Sequence, residues 1–238
     1  MTELIYQTDS YLKEFQARIV QIFPNENAVV LNRTAFYPVG GGQPSDTGTI
    51  TVAHETFIVT KVKKQNGYIL HFIEGKLPEQ GLAVIGKIDW HQRYEFMRTH
   101  TALHILSAVV WRDYKAQVTG GNMESLKGRL DFEFENINAE LVKEIEVKIN
   151  EEVKKDRDIR VKFLTREKAD KIPDLIRTKI NLLPKNLTEI RIVEIEGLDI
   201  QADGGTHVRN TKEVGKIYID GYKSKGRINK RIKISLEK

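Results

Sequence analysis

Three histidines and one aspartate carry the clearest chemistry in this chain. His100 and His104 stand at i and i+4, and Asp203 and His207 repeat that spacing about a hundred residues later. Three imidazoles and a carboxylate are a sufficient donor set for one divalent ion, zinc foremost. A single HxxxH pair is better explained by two partly buried, hydrogen-bonded rings; the second pair shifts the balance toward a metal. With two adjacent glycines, Asp203-Gly204-Gly205-Thr206-His207 cannot be helical and reads as a tight loop. Glycine there would let the backbone turn sharply or approach a ligand closely. The remaining histidines, His54, His71 and His91, have no such pairing and read as ordinary.

The elements that must position these residues can be placed by periodicity. From Asp89 to Tyr114 no Gly or Pro intervenes, and Phe96, Leu103, Leu106 and Val110 recur at helical spacing. His100 and His104 therefore share one helix face, one turn apart. A second helix is expected over 139–154, where Leu141, Ile145, Ile149 and Val153 repeat every four residues. Before residue 89 the pattern is one of short strands and turns: Ala17–Ile22, Ala28–Leu31, Thr49–Val52, Thr56–Val62, Tyr68–Phe72 and Ala83–Ile88. Strands at such close spacing suggest a small antiparallel β-barrel. After the helices, strands are expected near Ile159–Leu164, Glu189–Ile195, Lys216–Ile219 and Ile228–Leu236, with a short helix ending near Pro173. The expected fold is α+β: residues 1–88 form the barrel, and residues 89–238 form an α+β domain with antiparallel sheet and helices.

Composition narrows the partners. The 238 residues contain no cysteine, which excludes disulfides and thiolate ligands and leaves any metal to histidine and carboxylate. There is no apolar run of membrane length and no leader pattern, so the sequence reads as a soluble, cytoplasmic protein. The net charge of +5 is concentrated at one end. From Lys223 to Lys238 the chain carries +6, and the rest sums to −1. Such a basic terminus suits a polyanion such as RNA, or else a charge-protected edge strand.

Four motifs then make a family visible. Asp203-Gly204-Gly205-Thr206-His207-Val208, followed by Thr211-Lys212-Glu213-Val214-Gly215, resembles the CGGTHV…T-x-E-[IV]-G segment of alanyl-tRNA synthetase editing domains. Free-standing alanyl-tRNA editing proteins (AlaX) share it. His100-Thr101-Ala102-Leu103-His104 matches their HxxxH helix, and Gly128-Arg129-Leu130-Asp131-Phe132 is also similar to the family. Arg33-Thr34-Ala35-Phe36-Tyr37, with Gly40-Gly41-Gly42-Gln43-Pro44 and the tail Asp46 and Gly48, resembles its glycine-rich motif. One position departs: Asp203 stands where the family usually has a cysteine ligand. A carboxylate also binds zinc, but it makes the site harder and more tolerant of other divalent metals.

The resemblance implies an aminoacyl-tRNA deacylase that removes serine, and sometimes glycine, from mischarged alanine tRNA. It implies His100, His104, Asp203 and His207 as ligands of one Zn2+ or other divalent ion, with Asp203 alternatively holding a water. It implies that Thr34 faces the aminoacyl group and reads the seryl hydroxyl. Gln43 and the backbone of Gly40, Gly41 and Gly42 become contacts near the terminal nucleotide. Lys223, Lys225, Arg227, Lys230 and Arg231 are the expected phosphate contacts to tRNA. Editing is needed because a pocket built for a methyl side chain gains only about 1–3 kcal/mol per methylene. Two other readings remain open: a metal-free, inactive RNA-binding relative, and a non-haem iron site lacking any evident cosubstrate. Oligomeric state is not legible.

Overall fold

The computed structural model describes residues 2–173, 175 and 188–238. The chain divides into two compact units, Met1–Glu95 and Phe96–Lys238.

The first unit holds β1 (Glu3–Leu4), β2 (Glu14–Phe23), β3 (Ala28–Leu31), β4 (Arg33–Thr34), β5 (Gly48–Val52), β6 (Glu55–Gln65), β7 (Tyr68–Ile73) and β8 (Ala83–Ile88). Six of these close into an antiparallel barrel in the order β2-β3-β7-β6-β5-β8. They are the six strands expected from the sequence. Alternation sends Phe15, Ile19, Val29, Leu31, Ile50, Phe57 and Val59 inward to one core. Along β6 the inward phase then shifts to Val62, because a register irregularity lies between Val59 and Lys61.

Within this unit the glycine-rich segment is held from inside. Arg93 is fully buried; its Nε donates to Asp46 Oδ1 at 2.9 Å and its Nη1 to the Ser10 carbonyl at 2.9 Å. Its Nη2 donates to the Ala35 carbonyl at 2.6 Å and also to Asp46 Oδ2. Asp46 in turn accepts the Tyr37 N–H at 2.5 Å. The tail aspartate of the motif is therefore a buried counter-ion.

The second unit takes most of α1 (Trp90–Tyr114), then β9 (Val118–Glu124), β10 (Lys127–Glu133), α2 (Ala139–Lys154), β11 (Ile159–Thr165), α3 (Arg166–Ala169), β12 (Glu189–Ile195), β13 (Asp199–Ala202), β14 (Ile217–Ser224) and β15 (Asn229–Leu236). One antiparallel sheet runs β14-β15-β10-β9 and another β11-β12-β13. Asp89 directly precedes helix α1, and its carboxylate accepts the Gln92 N–H at 3.2 Å. From Thr99 to Val110 every residue is buried, so this stretch is a core helix and not an amphipathic surface one. Gly128 of β10 permits a close approach to it: a Cβ there would lie 2.9 Å from Leu103 Cδ2. Helix α2 is capped by Asn138, whose side chain accepts the Leu141 N–H at 2.8 Å. Among the described residues no helix is long and apolar enough to cross a membrane.

Candidate metal centre

His100 and His104 project from α1 one turn apart, and both are buried. Asp203 follows directly on β13, and His207 lies four residues further along the loop. One ligand atom from each of the four lies within 4.8 Å of all the others. His100 Nε2 is 3.6 Å from Asp203 Oδ1, His104 Nε2 is 3.9 Å from the same oxygen, and His207 Nε2 is 3.0 Å from Asp203 Oδ2. Bonds of about 2.0–2.1 Å in a tetrahedron put ligand atoms about 3.4 Å apart. The donor set and its spacing therefore fit one zinc-sized ion.

The protonation state also suits a cation. Burial pushes His100 well below the ordinary imidazole value and His207 down to about 4, so both rings are neutral with a free lone pair. Burial alone would raise the Asp203 carboxyl. The facing imidazoles, His100 foremost, and the hydrogen bond from His207 outweigh that effect and hold it well below its usual range. Neutral imidazoles beside an ionised carboxylate are the forms that bind a metal.

Local packing explains the flanking motif residues. Asp203 Oδ2 accepts the Gly205 N–H at 2.7 Å, which closes the loop. Neither Gly204 nor Gly205 takes a positive φ, so the expected strained turn is absent. A Cβ on Gly204 would instead meet nothing within 4 Å, so open space lies beside Asp203. Beyond His207, Thr211 is fully buried; its hydroxyl donates to the Val153 carbonyl at 3.2 Å and accepts the Arg157 N–H at 3.0 Å. Arg98, two residues before His100, donates through Nε to the Val214 carbonyl at 3.1 Å. The TKEVG stretch thus anchors the loop to both α1 and α2.

Three residues near the cluster carried no recognised signal in the sequence. Arg191 of β12 donates to the Asp203 carbonyl at 2.7 Å, and its guanidinium lies 3.7 Å from the Asp203 carboxylate. Asp199 approaches His104 Nδ1 to 3.8 Å. Thr101, inside the HxxxH motif, lies 3.1 Å from His207 Nδ1. The available clue was alternation in a strand, which puts Asp199, Gln201 and Asp203 on one side.

The other expected site residues fall in two places. Thr34, Gly40, Gly41, Gly42 and Gln43 belong to the first unit. Gly41 and Gly42 have φ of +56° and +86°, and Gly40 and Gln43 exchange both backbone hydrogen bonds, so the glycines make a tight hairpin turn. Gln43 is buried, whereas the three glycines are exposed. Thr34 is fully buried; its hydroxyl accepts the Phe36 N–H at 3.1 Å and lies 2.8 Å from His71 Nε2. His71 Nδ1 faces the Val29 carbonyl at 3.2 Å, which can only accept. The proton therefore sits on Nδ1, and Thr34 donates its own to Nε2. His71, read as ordinary, is the partner of the motif threonine. Burial lowers its pKa to about 4.

The basic residues lie on β14, β15 and their connecting turn in the second unit. Lys223, Lys225 and Arg227 are exposed. Lys230 is buried, and its ammonium donates to the Gly226 and Arg227 carbonyls at 2.7 and 2.8 Å. Arg231 forms a two-pronged pair with Asp131 at 2.7 and 2.9 Å. These two cations hold the hairpin's shape.

A family model described as tRNA synthetases class II (A) matches residues 6–92, and one described as the threonyl and alanyl tRNA synthetase second additional domain matches residues 190–233. The alanyl-tRNA editing protein AlaX-M of Saccharolobus solfataricus is 45% identical, with 98% of each chain covered. That of Methanosarcina mazei is 38% identical over 99% of this chain and 97% of its own. The alanine–tRNA ligase of Pyrococcus furiosus is 38% identical over 92% of this chain, which corresponds to 24% of the ligase. An identity of this size over the full length, on top of the four motifs, shows that the chain belongs to the AlaX-M family of alanyl-tRNA editing proteins.

Proposed function

We propose that the chain is a trans-editing hydrolase that deacylates mischarged alanine tRNA carrying serine or glycine, at a site holding one divalent ion, zinc by preference. The supporting observation is the convergence of His100, His104, Asp203 and His207, in a chain whose full-length relatives are named for alanyl-tRNA editing. On this reading residues 1–88 supply the glycine-rich motif, and residues 89–238 form the metal-binding editing domain. Because tRNA is the partner, the work is cytoplasmic.

The four ligand residues hold the ion, with Asp203 supplying the single anionic donor in place of a thiolate. A divalent ion bound there supplies the positive charge that acidifies water or steadies the substrate amino group. Thr34 gives its proton to His71 and so offers a substrate only an acceptor lone pair. A seryl hydroxyl can donate to it; glycine has nothing to match. Gln43 and the Gly40–Gly42 backbone contact the terminal nucleotide. Exposed Lys223, Lys225 and Arg227 hold phosphates, giving affinity that falls with salt and reads little sequence.

The test compares serine release from mischarged alanine tRNA by the intact chain and by His104→Ala. Loss of both bound metal and turnover supports the proposal, and full turnover without metal removes the zinc reading. A chain that binds tRNA but neither zinc nor hydrolyses the ester is the inactive RNA-binding relative.

A further inference from the structure

An imidazole offers a metal one nitrogen, and the group facing the other nitrogen decides which one it is. In all three histidines of the cluster Nε2 is the atom turned toward Asp203. Nδ1 of His104 and of His207 therefore points outward. For His207 it meets the Thr101 hydroxyl at 3.1 Å, and that hydroxyl also accepts the Val208 N–H at 3.3 Å. A hydroxyl takes either role, so it tolerates a proton on Nδ1 or none.

For His104 the outward group is different in kind. Nδ1 faces Asp199 Oδ2 at 3.8 Å, and the Asp199 side chain is 1% exposed. Gln201, two residues along β13, donates to the same oxygen at 2.6 Å. A buried carboxylate is costly unless donors surround it. Unlike a hydroxyl, an ionised carboxylate can only accept, so it selects the tautomer with the proton on Nδ1. The separation lies just outside direct hydrogen-bond range, within reach of a small side-chain rotation or one bridging water.

We infer that Asp199 is a positioning residue for the metal centre: it accepts the His104 Nδ1 proton, which turns the Nε2 lone pair of that ring toward the ion and makes it a stronger donor. This rests on the proposed metal reading and adds to it a fifth residue that never touches the ion. Asp199 and Asp203 then act in series along one strand edge, the first through an imidazole and the second directly.

Zinc affinity, measured by chelator competition on the full metal-free chain, tests this without reference to turnover. Asp199→Asn keeps the side chain's size and an oxygen for Gln201, and it is expected to weaken zinc binding by about 10–100-fold. In a His104→Ala background, read at zinc concentrations high enough to load the weak residual site of the three remaining donors, the same change is expected to cost no further affinity, because Asp199 acts through that ring. Affinity within about twofold of the unsubstituted chain, or equal losses in both backgrounds, overturns the inference. Should Asp199→Asn fail to fold, the unsubstituted zinc-loaded chain decides by nitrogen NMR: a protonated His104 Nδ1 is expected, and an unprotonated one refutes the role. A wild-type chain that takes up no zinc removes the metal reading itself and Asp199's role with it, a failure visible before any variant is compared.

Discussion

Asp46→Asn should destabilise the first unit more than any change on its surface. The Asp46–Arg93 pair is almost wholly buried, at 1% and 0% side-chain exposure. Asparagine keeps one oxygen for the Arg93 Nε proton but turns an NH2 toward a guanidinium that has only donors. Arg93 would keep the Ser10 and Ala35 carbonyls and lose its only counter-charge among the described residues. Breaking a buried pair from one side costs about 3–5 kcal/mol, because the remaining charge is left uncompensated. If the first unit melts alone, as a domain of fewer than 100 residues, each kcal/mol is worth about 4–8 °C. If the chain melts as a whole, it is worth about 2–4 °C. A drop of at least about 6 °C by calorimetry or circular dichroism is therefore expected. The double variant Asp46→Leu/Arg93→Met removes both charges but also takes these partners from the Ser10 and Ala35 carbonyls and the Tyr37 N–H, so it should recover only part of the loss. A midpoint within about 2 °C of wild type for Asp46→Asn, or a double variant worse than the single, would refute the claim that the motif aspartate serves as a buried counter-ion.

Asp203→Cys should bind zinc as tightly as the native chain or more tightly, since a thiolate suits zinc; unchanged affinity with lost serine release would instead assign Asp203 to water or to a base. Thr34→Val should slow serine release more than glycine release, and equal losses would argue against a selective hydroxyl contact. It also strips donors and acceptors from His71 and Phe36, a cost of about 1–3 kcal/mol, so Thr34→Ser is the control that keeps the hydroxyl. Acid should weaken the fold through His71, whose folded pKa of about 4 lies below the ordinary 6.5. The unfolded chain takes up that proton first, so stability is full above about pH 6.5 and falls by about 3 kcal/mol as pH drops to about 4. Unfolding titrations of His71→Gln should show a flatter decline over that range, and an identical slope would contradict the assignment.

What was legible in the sequence was local. The barrel strands announce themselves by alternation between turn signals, and α2 by its four-residue repeat. The convergence of His100, His104, Asp203 and His207 was readable because each half lies within one turn or one loop. β9 and β10 were not anticipated, since Gly120, Gly121 and Gly128 dilute their strand character. Gly128 is there for Leu103, a packing reason that no local pattern contains. Helix α2 buries Val142 and Glu152 on the face where only the four-residue apolar repeat was expected. Glu152 is tolerated because Arg112, Lys155 and Arg157 surround it at 2.7, 2.8 and 3.0 Å. The same logic hid Asp199, Arg191 and His71: each matters through a partner from another element. Lys230 and Arg231 looked like free cations in one dimension and are committed in three.

The central claim is metal-dependent editing, and one assay addresses it most directly. Serine release from mischarged alanine tRNA should be measured with the native chain, with the chain stripped of metal by a chelator, and with the stripped chain after zinc is restored. The account predicts release, its loss on stripping, and its return with zinc. Release that survives verified metal removal would keep the editing function and contradict the metal centre, and no release in any of the three would contradict the proposed activity altogether.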